Sequence, residues 1–256
     1  MALSRITFEQ AGEVWAFTPL ANLQELLHDQ IFRIALWNTL IFAVLAVGFE
    51  MALGLVLAIL ISSIKAFKGV MRTVLIVPIL MPAVAIGSMW KLMYSLEFGV
   101  FNQALTALGL PAVNWTGSLS LALYSIIVVD IWHWTPFVFL ILFAAVEGLP
   151  GEVLEAARID GARNTDLVFK IIIPLLRPAL TVALLFRTIV AFKVFDEVFL
   201  LTSGGPGTAT EVVGLRLYEV FFRENDMGYG AMLSLAGIAA TAAVLWTGRR
   251  AAAWGR

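Results

Sequence analysis

Five long apolar segments, separated by shorter polar stretches, organise this chain. They run approximately from Ile34 to Ile64, Val70 to Leu96, Leu119 to Val146, Leu175 to Leu201 and Gly228 to Thr247. Each reaches the roughly 20 residues that a helix needs to cross a hydrocarbon core about 30 Å thick. Inside hydrocarbon every backbone amide must find an internal partner, so these segments are predicted to be helices; the short alternating segments of a barrel do not occur. The expected fold is an all-α membrane protein, a polytopic transmembrane helix bundle forming one domain over residues 1–256.

The polar stretches carry their own patterns. From Pro19 to Arg33, Leu20, Leu23, Leu26, Leu27 and Ile31 form a stripe at helical spacing beside Gln24, Glu25, His28 and Asp29, which predicts an amphipathic helix lying on a membrane surface. Glycines and prolines punctuate the connections at about 97–118 and 202–227, where turns are expected. The connection between the third and fourth spans, residues 147–174, is far longer than a helical hairpin needs, yet it reads as ordered. Pro150 can open a helix, Glu152 and Glu155 suit its positive N-terminal end, and Gly161 can take the left-handed conformation that ends it. A second helix is predicted from Asn164 or Thr165 to Pro174, where the fourth span bends off. Ala156 and Ala157 would let another surface approach this corner closely, with Glu155, Arg158 and Asp160 at its rim.

Lysine and arginine set the orientation. Lys65, Lys68, Arg72, Arg158, Arg163, Lys170, Arg177, Arg249, Arg250 and Arg256 fall on one side, against Arg5, Arg33, Arg216 and Arg223 on the other. The first set is therefore expected to be cytoplasmic, which places residues 1–33 outside and the C-terminus inside.

Composition narrows the class without changing it. Hydrophobic residues make up 61% of the chain and charged ones 14%, well above the ~45–50% apolar share of soluble domains. A net charge of −1 and the lack of a basic block exclude a nucleic-acid partner. With no cysteine there is no thiol chemistry. No phosphate-binding loop, His-Glu-x-x-His or Gly-x-Ser-x-Gly occurs, and the two histidines, His28 and His133, sit on different elements, so no catalytic or metal-ligating set is expected.

Charges inside the spans are informative because each costs at least ~2.5–3.5 kcal/mol near the bilayer centre if it faces lipid. Asp130 and Arg187 fall at comparable depth on successive spans and are expected to face inward and pair. Glu50, mid-span, can pair or sit at an interface with a second chain and is read as structural, and Lys91 lies near an outer end where its stem can snorkel.

The residues also carry a resemblance. Glu155-Ala156-Ala157, Gly161, Ile171, Ile173 and Pro174 match the loop signature of the permease subunits of ABC importers, with Ile173 where leucine is usual. Trp134-Thr135-Pro136-Phe137, Leu175-Leu176-Arg177-Pro178-Ala179 and Leu201-Thr202-Ser203-Gly204-Gly205-Pro206-Gly207 resemble its carbohydrate-uptake branch, the maltose and glycerol-phosphate permeases. The resemblance covers roughly residues 17–247. It implies that the chain performs no bond chemistry and binds no cofactor, ATP being bound and hydrolysed by a partner. The implied partners are a second, non-identical permease, two cytoplasmic ATP-binding subunits and an external solute-binding protein, in a cytoplasmic (inner) membrane. Glu155, Ala156, Ala157, Asp160, Gly161 and Pro174 would couple to the ATPase; Asp130, Trp134, Phe137, Arg187, Val190 and Ala191 would line the path of a sugar or polyol. Such permeases usually have one more span at the front, so a truncated start is expected in preference to a genuine five-span form. The alternative function is a secondary carrier, which predicts paired broken helices and an internal repeat; neither is legible in the sequence.

Overall fold

The computed structural model describes residues 2, 4–9, 12–17, 20–64 and 66–254. A short antiparallel hairpin opens the chain, β1 (Ser4–Glu9) and β2 (Gly12–Phe17), with Ser4 opposite Phe17 and Glu9 opposite Gly12. It is an addition to an otherwise helical fold that the helix-length apolar pattern does not announce. The amphipathic stretch follows as α1 (Ala21–His28), with Leu20, Leu23 and Leu27 exposed. Asp29 interrupts it, because its carboxylate accepts the Phe32 N–H at 2.9 Å and so caps the next helix.

That helix, α2 (Gln30–Ser63), is 34 residues long, enough at ~1.5 Å per residue to exceed the bilayer core. α6 (Ala122–Glu147) and α13 (Met227–Trp254) are the other long apolar helices. The second and fourth expected spans differ from simple rods. α3 (Lys68–Ile76) and a 3₁₀ turn (Val77–Leu80) meet α4 (Ala83–Met93) at 95°. Pro82 explains the break: it forces the preceding Met81 into an extended conformation (φ −82°, ψ 138°). The other bent pair joins α8 (Asn164–Asp166), a π-helical turn (Leu167–Ile172) and α9 (Ile173–Leu175) to α10 (Arg177–Ala191) at 66°. The expected bend after Pro174 is therefore present, but the span stops at Ala191 and not at Leu201. Residues 196–201 form a separate short helix, α11 (Asp196–Leu201). The remaining elements are α5 (Val100–Ala107), α7 (Gly151–Ile159), α12 (Val213–Tyr218) and a π turn at Glu219–Arg223. Three helices, or five counting each bent pair as one, are long and apolar enough to span a membrane among the described residues.

Two compact units emerge, and α2, α6 and α10 contribute to both. One comprises Met1–Val44, Pro82–Val129 and Thr188–Arg256. Its core gathers Phe32, Ala35, Val213, Val220, Tyr229, Met232 and Leu233. The other comprises Leu45–Met81 and Asp130–Arg187, packed around Ala58, Ile61, Val138, Phe139, Leu142, Phe143 and Ala183. Here Gly54 lets α2 meet α6 closely, since a Cβ at that position would lie 2.7 Å from Val138 Cγ1.

Candidate functional site

The 147–174 connection folds as an ordered elbow. α7 starts after Pro150, which takes an extended conformation just before the helix and does not enter it. Glu152 in its first turn and Arg158 in its last complement the helix dipole. The C-terminus closes in a Schellman motif: the Ala162 N–H donates to the Ala157 carbonyl at 3.0 Å and the Gly161 N–H to the Arg158 carbonyl at 3.1 Å. Gly161 takes φ +85°, the left-handed region that this motif requires and that glycine enters without strain. Asp160 is the C-cap. The next helix begins at Asn164, as expected, but its cap is Arg163 and not Asn164 or Thr165: the Arg163 N–H donates to the Asp166 carboxylate at 3.3 Å.

No residue of α7 is buried. Glu155, Ala156, Asp160 and Gly161 are exposed and Ala157 half-exposed, while Ile159 is 86% exposed. A nine-residue helix is marginal in water by propensity alone. The elbow therefore presents a formed cap and an apolar tip, with none of its helix buried. Pro174 lies half-buried in α9, at the turn before the bend. At the foot of α6, Lys68 bonds both Glu147 carboxylate oxygens at 2.7 Å and stands 5.3 Å above the Phe143 ring.

The second feature is a charge cluster in the same unit. Arg187 is fully buried; its Nε donates to Glu50 Oε2 at 2.5 Å and its Nη2 to Glu50 Oε1 at 2.7 Å, and Nη2 also bonds the Asp130 carboxylate. Its guanidinium lies 4.8 Å from the centre of the Trp134 ring. Trp134 meets Phe137 edge-on at 6.0 Å, and Phe137 meets Phe186 at 4.7 Å. The expected Asp130–Arg187 pair is therefore present, and Glu50 is its third member. Glu50 therefore pairs, one of the two roles expected of it; its partner was not legible because α2 lies far from Arg187 in the chain. Asp130 and Arg187 are closed off by their own pairing, whereas Trp134 and Phe137 stay half-buried.

Val190 and Ala191 belong to the other unit. Val190 is half-buried and Ala191 buried, and neither joins that cluster as a described partner. Beside them Phe192 and Lys193 line a groove of about 560 Å³ together with Ser234, Gly237 and Thr241 of α13. Lys193, a cation six residues after Arg187 in an apolar run, was a signal for this groove. Among the described residues no three His, Asp or Glu side chains gather in a way that could hold a metal ion.

Residues 50–250 match the family model described as "Binding-protein-dependent transport system inner membrane component". The chain is 36% identical over 219 residues to the trehalose/maltose transport system permease protein MalF of Thermococcus litoralis, covering 86% of this chain and 74% of that one. It is 32% identical to the sulfoquinovosyl glycerol transport system permease protein SmoG of Agrobacterium fabrum, covering 86% and 71%. It is 31% identical to the trehalose transport system permease protein SugA of Mycobacterium tuberculosis, covering 86% and 70%. Its fold resembles a crystal structure of a bacterial ABC transporter that imports alginate, with a TM-score of 0.82 at 20% identity, covering 90% of this chain and 81% of the other. The long apolar helices, the capped elbow at 151–162 and these matches lead to one conclusion: the chain belongs to the inner-membrane permease family of binding-protein-dependent, ABC-type transport systems.

Proposed function

We propose that this permease carries a sugar or related polyol inward and that α7 is the element through which a separate ATPase drives it. The observation that carries the coupling role is the exposed, Schellman-capped helix that bears Glu155-Ala156-Ala157 and turns at Gly161. In this reading Ala156 and Ala157 let the ATPase subunit approach the backbone, Glu155 and Asp160 make polar contacts at the rim, and Ile159 fills an apolar pocket on the partner. Pro174 ends the rigid segment. A packed elbow transmits displacement, whereas a loose loop would absorb it.

The assembly comprises a second, non-identical permease, two ATP-binding subunits and an external solute-binding protein. The basic connections face the cytoplasm, residues 1–33 lie outside, and ATP is bound only by the partner. The sugar class rests on the named solutes of the relatives, trehalose, maltose and sulfoquinovosyl glycerol. On the solute path, Trp134 and Phe137 would face the apolar side of a sugar ring. Asp130 and Arg187 set the position of those rings, and Val190 and Ala191 continue the path along α10.

A secondary carrier gains one observation, the two bent helix pairs. It lacks an explanation for the exposed elbow, which a self-sufficient carrier would not need. The test is a cysteine at Ala157 in the co-purified complex: cross-linking to the ATP-binding subunit, sensitive to nucleotide, is expected, and its absence under every nucleotide condition would refute the coupling role. Gly161→Pro should leave insertion intact while abolishing solute-stimulated ATP hydrolysis; normal transport in that variant would also count against it.

A further inference from the structure

The loop between α11 and α12 holds a carboxyl group that the transport mechanism does not use. Glu211 is 5% exposed, and its Oε1 has no hydrogen-bond partner among the described residues. The backbone around it is pinned on both sides. Asn38 of α2 donates its amide to the carbonyls of Thr208 at 3.1 Å, Ala209 at 3.3 Å and Glu211 at 2.9 Å. Thr39 accepts the Val213 N–H at 3.0 Å and itself donates to the Ala35 carbonyl. Thr210 donates to the Gly205 carbonyl at 2.8 Å and shares a hydrogen bond with Thr202 at 2.7 Å. The side chain is pressed against Gly204, where a Cβ would sit 2.6 Å from Glu211 Oε2. With Gly204 at φ +87°, the loop is shaped around this carboxyl.

Among the described residues no cation is bonded to it. Arg216 of α12 is the nearby candidate, yet its Nη1 bonds Glu224 at 2.7 Å and its Nε and Nη2 reach Asp29 at 3.4 and 3.3 Å. The other charged groups that act on it, Glu219 after α12 and Asp29 at the start of α2, are carboxylates. α2 presents the neutral Asn38 and Thr39, and the loop and α11 present Thr202 and Thr210. A charged Glu211 would therefore be buried, unpaired and repelled, a combination that the loop tolerates only while the group is neutral.

We propose that Glu211 is a proton-operated latch: the 202–212 loop packs with this carboxyl protonated, and loss of the proton releases the loop from Asn38. Burial first, and then repulsion by Glu219, push its pKa up to about 7, against the opposing pull of Arg216. The latch consequently works in the neutral range. It does not depend on the identity of the solute or on the ATPase contact.

The chain has no cysteine of its own, so Thr208→Cys gives a unique site for a spin label, read in the full chain in lipid nanodiscs. Between about pH 5.5 and about pH 8.5 the label is expected to become several-fold more mobile, with a midpoint near the shifted carboxyl pKa and not near the ordinary glutamate value. Glu211→Gln should keep it immobile throughout. Glu219→Gln, at a half-exposed site, should move the midpoint to lower pH with the amplitude unchanged, and this holds the proposal open to refutation even if Glu211→Gln fails to fold. A label whose mobility is flat with pH in the otherwise wild-type chain, a Glu211→Gln variant that titrates like wild type, or a midpoint unmoved by Glu219→Gln would each overturn it.

Discussion

The cluster around Arg187 and the loop around Glu211 both bury carboxylates, and they do so in opposite ways. In the first, two carboxylates from α2 and α6 share one guanidinium that also stacks on Trp134. In the second, one carboxylate is buried with no cation bonded to it among the described residues, and backbone carbonyls are held in place by a neutral amide. Coulomb attraction and direct hydrogen bonds hold the first centre, while the second is held by shape and by a proton. A bundle that has to change conformation gains from having both: a fixed strut in one unit and a releasable tie in the other.

Removing the cation should separate the two centres most sharply. Arg187→Met leaves Glu50 and Asp130 buried without their counter-charge and should destabilise the protein by ~3–5 kcal/mol. Thermal unfolding in detergent checks this, and adding Glu50→Gln should recover part of the loss. If Arg187→Met melts with wild type, the cluster is not a strut.

The Glu211 contribution is next in size and depends on pH. Its folded pKa of about 7 lies above the ordinary 4.5, so the folded state binds the extra proton. The stabilisation is complete below pH about 4.5, declines through the interval and is gone once pH passes about 7, a loss of up to ~3 kcal/mol. Urea titrations at several pH values should show that decline in wild type and lack it in Glu211→Gln. Asn38→Ala should cost ~1–3 kcal/mol while Glu211 is protonated and the loop is latched, because it strips the donor from buried carbonyls, and should cost less once the proton is lost and the loop has left Asn38. A penalty that stays the same on both sides of the Glu211 pKa would mean that losing the proton does not release the loop from Asn38. Lys68→Ala provides the lower bound: its partly exposed pair with Glu147 should be worth no more than ~1 kcal/mol and should weaken with added salt.

Much of this was legible before folding. The apolar runs gave the spans, Gly161 gave the corner, Pro174 gave the bend, and the matched depth of Asp130 and Arg187 gave their pairing. Other features had signals that went unread. Pro78 and Pro82 flank the sharp break before α4, and Phe192 to Phe195 interrupt the run expected to continue to Leu201. Which residue Glu50 would pair with, and that Glu211 would be a buried acid, were not legible. Each owes its environment to residues more than a hundred positions away, Arg187 in one case and Asn38 in the other.

Local chemistry therefore fixed which segments enter hydrocarbon and where they must turn, because backbone satisfaction and glycine or proline geometry act over a few residues. The pairing of the buried charges was settled by packing. An ionisable side chain is neutralised, stranded or hydrogen-bonded according to what distant helices bring within about 3 Å of it, and that distance exists only once the helices have met.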